Sequence, residues 1–67
     1  MKLDKQDQIN FICAVLGDWS ESVIKLAAIH TQWDNPRWAA VCIFRDIRGP
    51  GRDQEIRDFA SRMGFVV

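Results

Sequence analysis

The side chains of this 67-residue chain that could carry nucleophilic or metal chemistry are one histidine and two cysteines, His30, Cys13 and Cys42. A nucleophilic site needs a base beside the nucleophile and a third group that orients the base, but His30 falls on the apolar face of a predicted helix. A zinc site needs about four ligands, whereas these three residues fall on three different predicted helices, with no Cys-x-x-Cys pair. We therefore predict no catalytic residues, no metal site and no cofactor, and we do not expect an enzyme.

Anion binding is the second chemistry to consider, because the loop from Arg48 to Arg52 reads Arg-Gly-Pro-Gly-Arg and leads into a predicted helix. Free N–H groups at a helix start attract phosphate. A P-loop would require a Gly-x-x-x-x-Gly-Lys pattern after a strand, and the chain lacks this pattern. The loop is therefore interpreted as a connection between two helices rather than as an anion site.

Arginine and tryptophan fall together on one side of the third predicted helix, and these two residue types are enriched in binding hot spots. We predict that this side binds a partner protein. If the second and third helices formed a helix-turn-helix, the same side could instead enter the major groove of DNA, although a net charge of zero gives little general affinity for phosphates. Packing of Trp38 against a neighbouring helix is the remaining alternative. The residues of the predicted partner-binding side are Arg37, Trp38, Val41, Arg45 and Arg48.

The third helix has the clearest start and stop signals. Asn35 can cap it, Pro36 suits its first position, and Gly49 can adopt a left-handed conformation that ends it. The run from Trp38 to Phe44 is too apolar for a helix exposed on one side, so we expect a central helix surrounded by the other three. A strand over 39–44 is the competing interpretation, because the run is short and partly β-branched; the two end signals favour the helix.

The other helices have similar signals. Asp4 and Asp53 can cap the first and the last helix, and Asp18 with Glu21 resembles a capping box before the second. Gly17 and Gly64 are natural stops. The chain is therefore predicted to be all-α, a single domain over 1–67 with four short helices at about 5–16, 19–32, 36–48 and 54–63, followed by an apolar C-terminal tail.

The hydrophobic pattern predicts which faces of the helices are buried. Ile24 stands apart on the polar side of the second helix. The predicted apolar face of that helix consists of Trp19, Val23, Leu26, Ala27, Ile29, His30 and Trp33. The predicted apolar arc of the third helix consists of Ala39, Ala40, Ile43, Phe44 and Ile47.

Several large apolar residues are expected to remain at the surface, because a chain of this length buries only about 60% of the area that its unfolded form exposes. The C-terminal tail should either fold back onto the core or pair with another chain. We predict a second surface, suited to a homodimer contact, from Phe11, Ile24, Phe65, Val66 and Val67.

Composition narrows the class of function. The apolar fraction of 48% and the balanced charge are those of a globular protein rather than of a membrane or general nucleic-acid binder. The polar start of the chain differs from a secretory signal, and the cysteines lie among apolar neighbours, so we expect a cytoplasmic protein without a membrane partner. We predict a small helical regulator or inhibitor that acts by protein–protein interaction, with homodimerisation as an option and a phage or mobile-element accessory protein as a fitting source. The alternative is a small helix-turn-helix DNA-binding regulator.

Overall fold

The computed structural model describes residues 3–65 of the chain. All regular secondary structure within this range is helical. The helices are α1 (Lys5–Leu16), α2 (Glu21–His30), α3 (Pro36–Arg48) and α4 (Asp53–Arg62), and the 3₁₀-helix Thr31–Trp33 continues α2. No strand occurs within this range. The predicted all-α bundle of four short helices is therefore confirmed, and the strand alternative for 39–44 is wrong.

The third helix is the centre of the bundle, as predicted. α3 packs against α1, α2 and α4, α1 also packs against α2, and α4 packs against α3 alone within residues 3–65. Ala39 and Ala40 let neighbouring helices approach α3 closely, because their side chains are small and fully buried. The core cluster consists of Ile12, Ala27, Ala39, Ala40, Val41, Ile43, Phe59 and Ala60.

The ends of α1 and α3 follow local sequence signals. The carboxylate of Asp4 accepts a hydrogen bond from the backbone N–H of Asp7 at 2.8 Å, and Gly17 ends α1 in the left-handed conformation. Asn35 accepts a hydrogen bond from the backbone N–H of Trp38 at 3.2 Å. Gly49 ends α3 with φ 74°, and its N–H donates to the carbonyl of Arg45 at 2.9 Å. The predicted bounds of both helices are confirmed.

The predicted starts of the other two helices are wrong by one or two residues. The carboxylate of Asp18 accepts a hydrogen bond from the N–H of Ser20 at 2.9 Å, which makes a tight turn before the helix and leaves Ser20 as the N-cap. This hydrogen bond, together with one from the Ser20 side chain, lowers the pKa of Asp18. Arg52 occupies the N-cap of α4, so Asp53 lies in its first turn, where a carboxylate suits the helix dipole.

The turn between α2 and α3 is held in place by a buried glutamine. Gln8 is almost fully buried on α1, and its Nε2 donates to the carbonyl of Leu3 at 3.1 Å and to Oδ1 of Asp34 at 2.9 Å. Asp34 adopts a left-handed conformation with φ 55°. Thr31 donates its hydroxyl proton to the carbonyl of Ala28 at 2.6 Å. These bonds fix the segment that carries Trp33.

Four residues assigned to apolar faces by the sequence are exposed instead. Ile29 and Trp33 are 59% and 63% exposed, because only the side of α2 with the buried residues Val23 and Ala27 faces the rest of the bundle. Trp19 precedes α2 and is also exposed. Ile47 lies in the last turn of α3, outside the core cluster, and is exposed as well.

Candidate functional site

The side of α3 that was predicted to bind a partner is partly covered by α4. Val41 is only 6% exposed and belongs to the core cluster, so its prediction as a surface residue is wrong. Phe44, three residues further along α3, stacks on Phe59 from α4, with ring centroids 4.4 Å apart and an interplanar angle of 3°. Helix α4 therefore lies over the part of α3 that carries Phe44.

Arginines extend this aromatic stack at both ends. The guanidinium of Arg48 lies 5.1 Å from the centre of the Phe44 ring, and that of Arg62 lies 5.5 Å from the centre of the Phe59 ring. Nε of Arg48 is also 3.9 Å from the carboxylate of Glu55 on α4. Because Arg48 is engaged with α4, it is less free to meet a partner than the sequence suggested.

The remaining predicted residues of this side lie at different positions along α3. Arg37 lies at the C-terminal end of α4, beside Gly64, whereas Arg48 lies at its N-terminal end. Trp38 and Arg45 are exposed. Because Val41 is buried, the five predicted residues do not form one continuous exposed surface.

An open groove forms where the end of α2 meets the start of α3, and we name it the tryptophan groove. It has a volume of about 510 Å³. Trp33 and Trp38 are 63% and 43% exposed, and one edge of Trp38 is supported by Phe65, whose ring centre lies 5.2 Å away in an edge-to-face arrangement. The residues that line the groove are His30, Trp33, Asn35, Trp38 and Cys42.

Polar chemistry in the tryptophan groove is limited to a few atoms. Nδ1 of His30 lies 2.8 Å from the carbonyl oxygen of Leu26. A carbonyl can only accept, so Nδ1 carries a proton and donates this hydrogen bond. Asn35 already uses its side-chain oxygen to cap α3, and Cys42 is half-buried. The groove can therefore hold an apolar or aromatic side chain next to the few polar atoms of His30 and Asn35.

Trp33 is the site residue that the sequence reasoning missed. The helical pattern placed it in the core as a continuation of α2. In the structure, α2 tightens into a 3₁₀-helix at Thr31, which rotates the following side chains relative to an α-helix. The available signal was the number of large residues, since three tryptophans and four phenylalanines exceed what a small core can enclose.

Comparison with known proteins gives no family for this site. No family model, curated protein or solved structure matches the chain. Within residues 3–65, no group of three or more histidine, cysteine, aspartate or glutamate side chains is arranged to hold a metal ion. In the same range, no helix has the length and hydrophobicity required to cross a bilayer.

The second predicted surface is divided in the structure. Phe11 and Phe65 are half-buried and pack against the core of their own chain. Ile24 is 38% exposed on α2. Val66 and Val67 lie outside the described residues, and a dimer contact through this set stays a prediction.

The thiol of Cys13 is internal, and the loop from Arg48 to Arg52 leads into a helix that begins with acidic residues. Cys13 is fully buried, and its burial, with a smaller contribution from the negative charge of Asp18, raises the pKa of the thiol. The first turn of α4 already carries Asp53 and Glu55, which place negative charge at the helix start where an anion would bind. The interpretation of the Arg48–Arg52 loop as a connection rather than an anion site is consistent with this charge.

Proposed function

We propose that this protein is a small helical module that binds a partner protein through the tryptophan groove and acts as a regulator or inhibitor by occupying that partner. The observation that carries the proposal is the exposure of Trp33 and Trp38 on one open groove. Large exposed aromatic side chains beside a concave surface are typical of binding hot spots. The free thiols of Cys13 and Cys42 favour a reducing compartment, so we place this activity in the cytoplasm.

Trp33 should be the main anchor of the complex. Its ring is the more exposed of the two. Because Trp33 lies in a turn that Gln8 and Asp34 hold in place, little conformational freedom is lost on binding. Truncating a hot-spot tryptophan costs about 2 kcal/mol or more of binding free energy, which corresponds to a roughly 30-fold rise in Kd.

The test begins with capture of partners from a lysate of the source cell on immobilised protein, followed by mass spectrometry. The captured protein is then purified, and its Kd is measured for the wild type, Trp33→Ala and Trp19→Ala. Trp19 is a matched control, because it is 56% exposed but does not line the groove. We expect about 30-fold weaker binding for Trp33→Ala and less than about twofold for Trp19→Ala. Equal affinities of the wild type and Trp33→Ala would remove the groove as the docking site.

The alternative proposal, a helix-turn-helix regulator, depends on α3 entering the major groove of DNA. We rank it second because Val41 is buried in the core cluster and Arg48 lies against Phe44. Arg37, Trp38 and Arg45 of the proposed recognition side remain exposed. Salt-sensitive binding of the wild type to duplex DNA, lost in Arg45→Ala, would favour the alternative.

A further inference from the structure

A second groove lies between α1 and the C-terminal end of α4, and we name it the arginine groove. It has a volume of about 280 Å³. Its apolar part comes from Phe11, Val15 and Met63, which are half-buried and pack on the core. Arg37 and Arg62 are exposed beside them. The full lining is Phe11, Val15, Arg37, Arg62, Met63 and Gly64.

The two arginines bring positive charge to this groove without a matching acid. Neither Arg37 nor Arg62 forms an ion pair within residues 3–65. Asp58, one turn before Arg62 on α4, accepts a hydrogen bond from Gln54 at 2.9 Å instead. No acidic side chain is among the lining residues of the groove.

Both guanidiniums are positioned by contacts that leave their N–H donors available. Arg62 lies over the buried ring of Phe59, with the central carbon of its guanidinium 5.5 Å from the ring centre. Arg37 reaches across to Gly64, where an added side chain would come within 3.7 Å of its Nη1. That distance is an ordinary van der Waals contact, so the guanidinium of Arg37 lies directly beside Gly64.

We propose that the arginine groove binds an acidic peptide segment of a partner protein, with an apolar side chain on Phe11, Val15 and Met63 and a neighbouring carboxylate between Arg37 and Arg62. Guanidinium groups suit carboxylates because their planar N–H donors can form paired hydrogen bonds. This inference rests on the proposed protein-binding function and gives the partner a chemical character. A nucleic acid fits less well, since it would leave the apolar part of the groove uncovered and would meet a chain with zero net charge.

The experiment uses a short synthetic peptide of glutamate, leucine and glycine, blocked at both ends and labelled with a fluorophore. Its Kd is measured by anisotropy for the wild type, Arg37→Gln, Arg62→Gln and Arg57→Gln. Arg57 is the matched control, because it is an exposed arginine of α4 that does not line the groove. We expect a rise in Kd of about fivefold or more for each groove variant and less than about twofold for the control. Replacing glutamate by glutamine, or leucine by glycine, in the peptide should abolish binding.

A charge-reversed variant provides a second test in case a single substitution disturbs the fold. Arg37→Glu combined with Arg62→Glu should lose the glutamate peptide and bind the corresponding lysine–leucine peptide. Unchanged binding of the glutamate peptide to this variant would overturn the proposal, as would preferential binding of duplex DNA by the wild type through the same arginines. If the peptide fails to bind while the captured partner still depends on Trp33, this inference fails and the proposed function stands.

Discussion

Phe59→Ala should remove much of the stability of the protein, because Phe59 is the main apolar link between α4 and the rest of the bundle. Phe59 is 3% exposed, stacks on Phe44 with ring centroids 4.4 Å apart, and supports the guanidinium of Arg62. Helix α4 packs on α3 alone within residues 3–65.

The size of the effect follows from the packing. Replacing a buried phenylalanine by alanine costs about 3–5 kcal/mol of unfolding free energy, of which the aromatic pair contributes roughly 0.5–1.5 kcal/mol beyond its buried area. A chain of 67 residues has a total stability of roughly 3–10 kcal/mol. The loss is therefore a large fraction of the total stability, and the variant should unfold at a much lower urea concentration than the wild type.

Urea unfolding followed by circular dichroism and tryptophan fluorescence measures this loss. Phe59→Leu is the control, since it keeps most of the apolar volume and should cost less than about 1.5 kcal/mol. A loss below about 1 kcal/mol for Phe59→Ala would refute the packing of α4 on α3.

Three further perturbations test other parts of the structure. Gly49→Val should cost about 1–3 kcal/mol, because a β-branched residue is strained at φ 74°; an unchanged melting temperature would show that α3 ends elsewhere. Deleting 65–67 should lower the melting temperature and shift tryptophan emission to the red, since Phe65 packs on Trp38; an unaltered melting curve and mass would show that the tail does not contribute. A thiol reagent should label Cys42 rapidly and the buried Cys13 only at the rate of unfolding; equal rates would contradict the burial of Cys13.

The helix ends that were predicted correctly depend on neighbouring residues only. Asn35, Pro36 and Gly49 act within one turn of the helix that they begin or end, so their effect is visible in the sequence. Asp18 shows the limit of such signals. Its carboxylate could accept a hydrogen bond from a backbone N–H in the first turn of α2 or from the backbone N–H of Ser20. The same residue types serve both geometries.

The candidate site was harder to predict because it depends on which side of α3 is covered. The hydrophobic pattern of the sequence predicted an apolar side and a polar side of α3 but did not predict the position of α4. Val41 was the informative residue, since a valine within an arginine-rich side indicates contact with another helix. The exposure of Trp33 required knowledge of the 3₁₀ turn, which Gln8 on the distant helix α1 helps to fix through Asp34.

The most direct test of the proposed function is the solvent accessibility of the groove tryptophans with and without the captured partner. In a Trp19→Phe variant, Trp33 and Trp38 are the remaining tryptophans, and both line the tryptophan groove. We predict that the partner shifts their emission to the blue and reduces quenching by acrylamide. Emission and quenching that stay unchanged while the partner is bound would contradict docking at this groove.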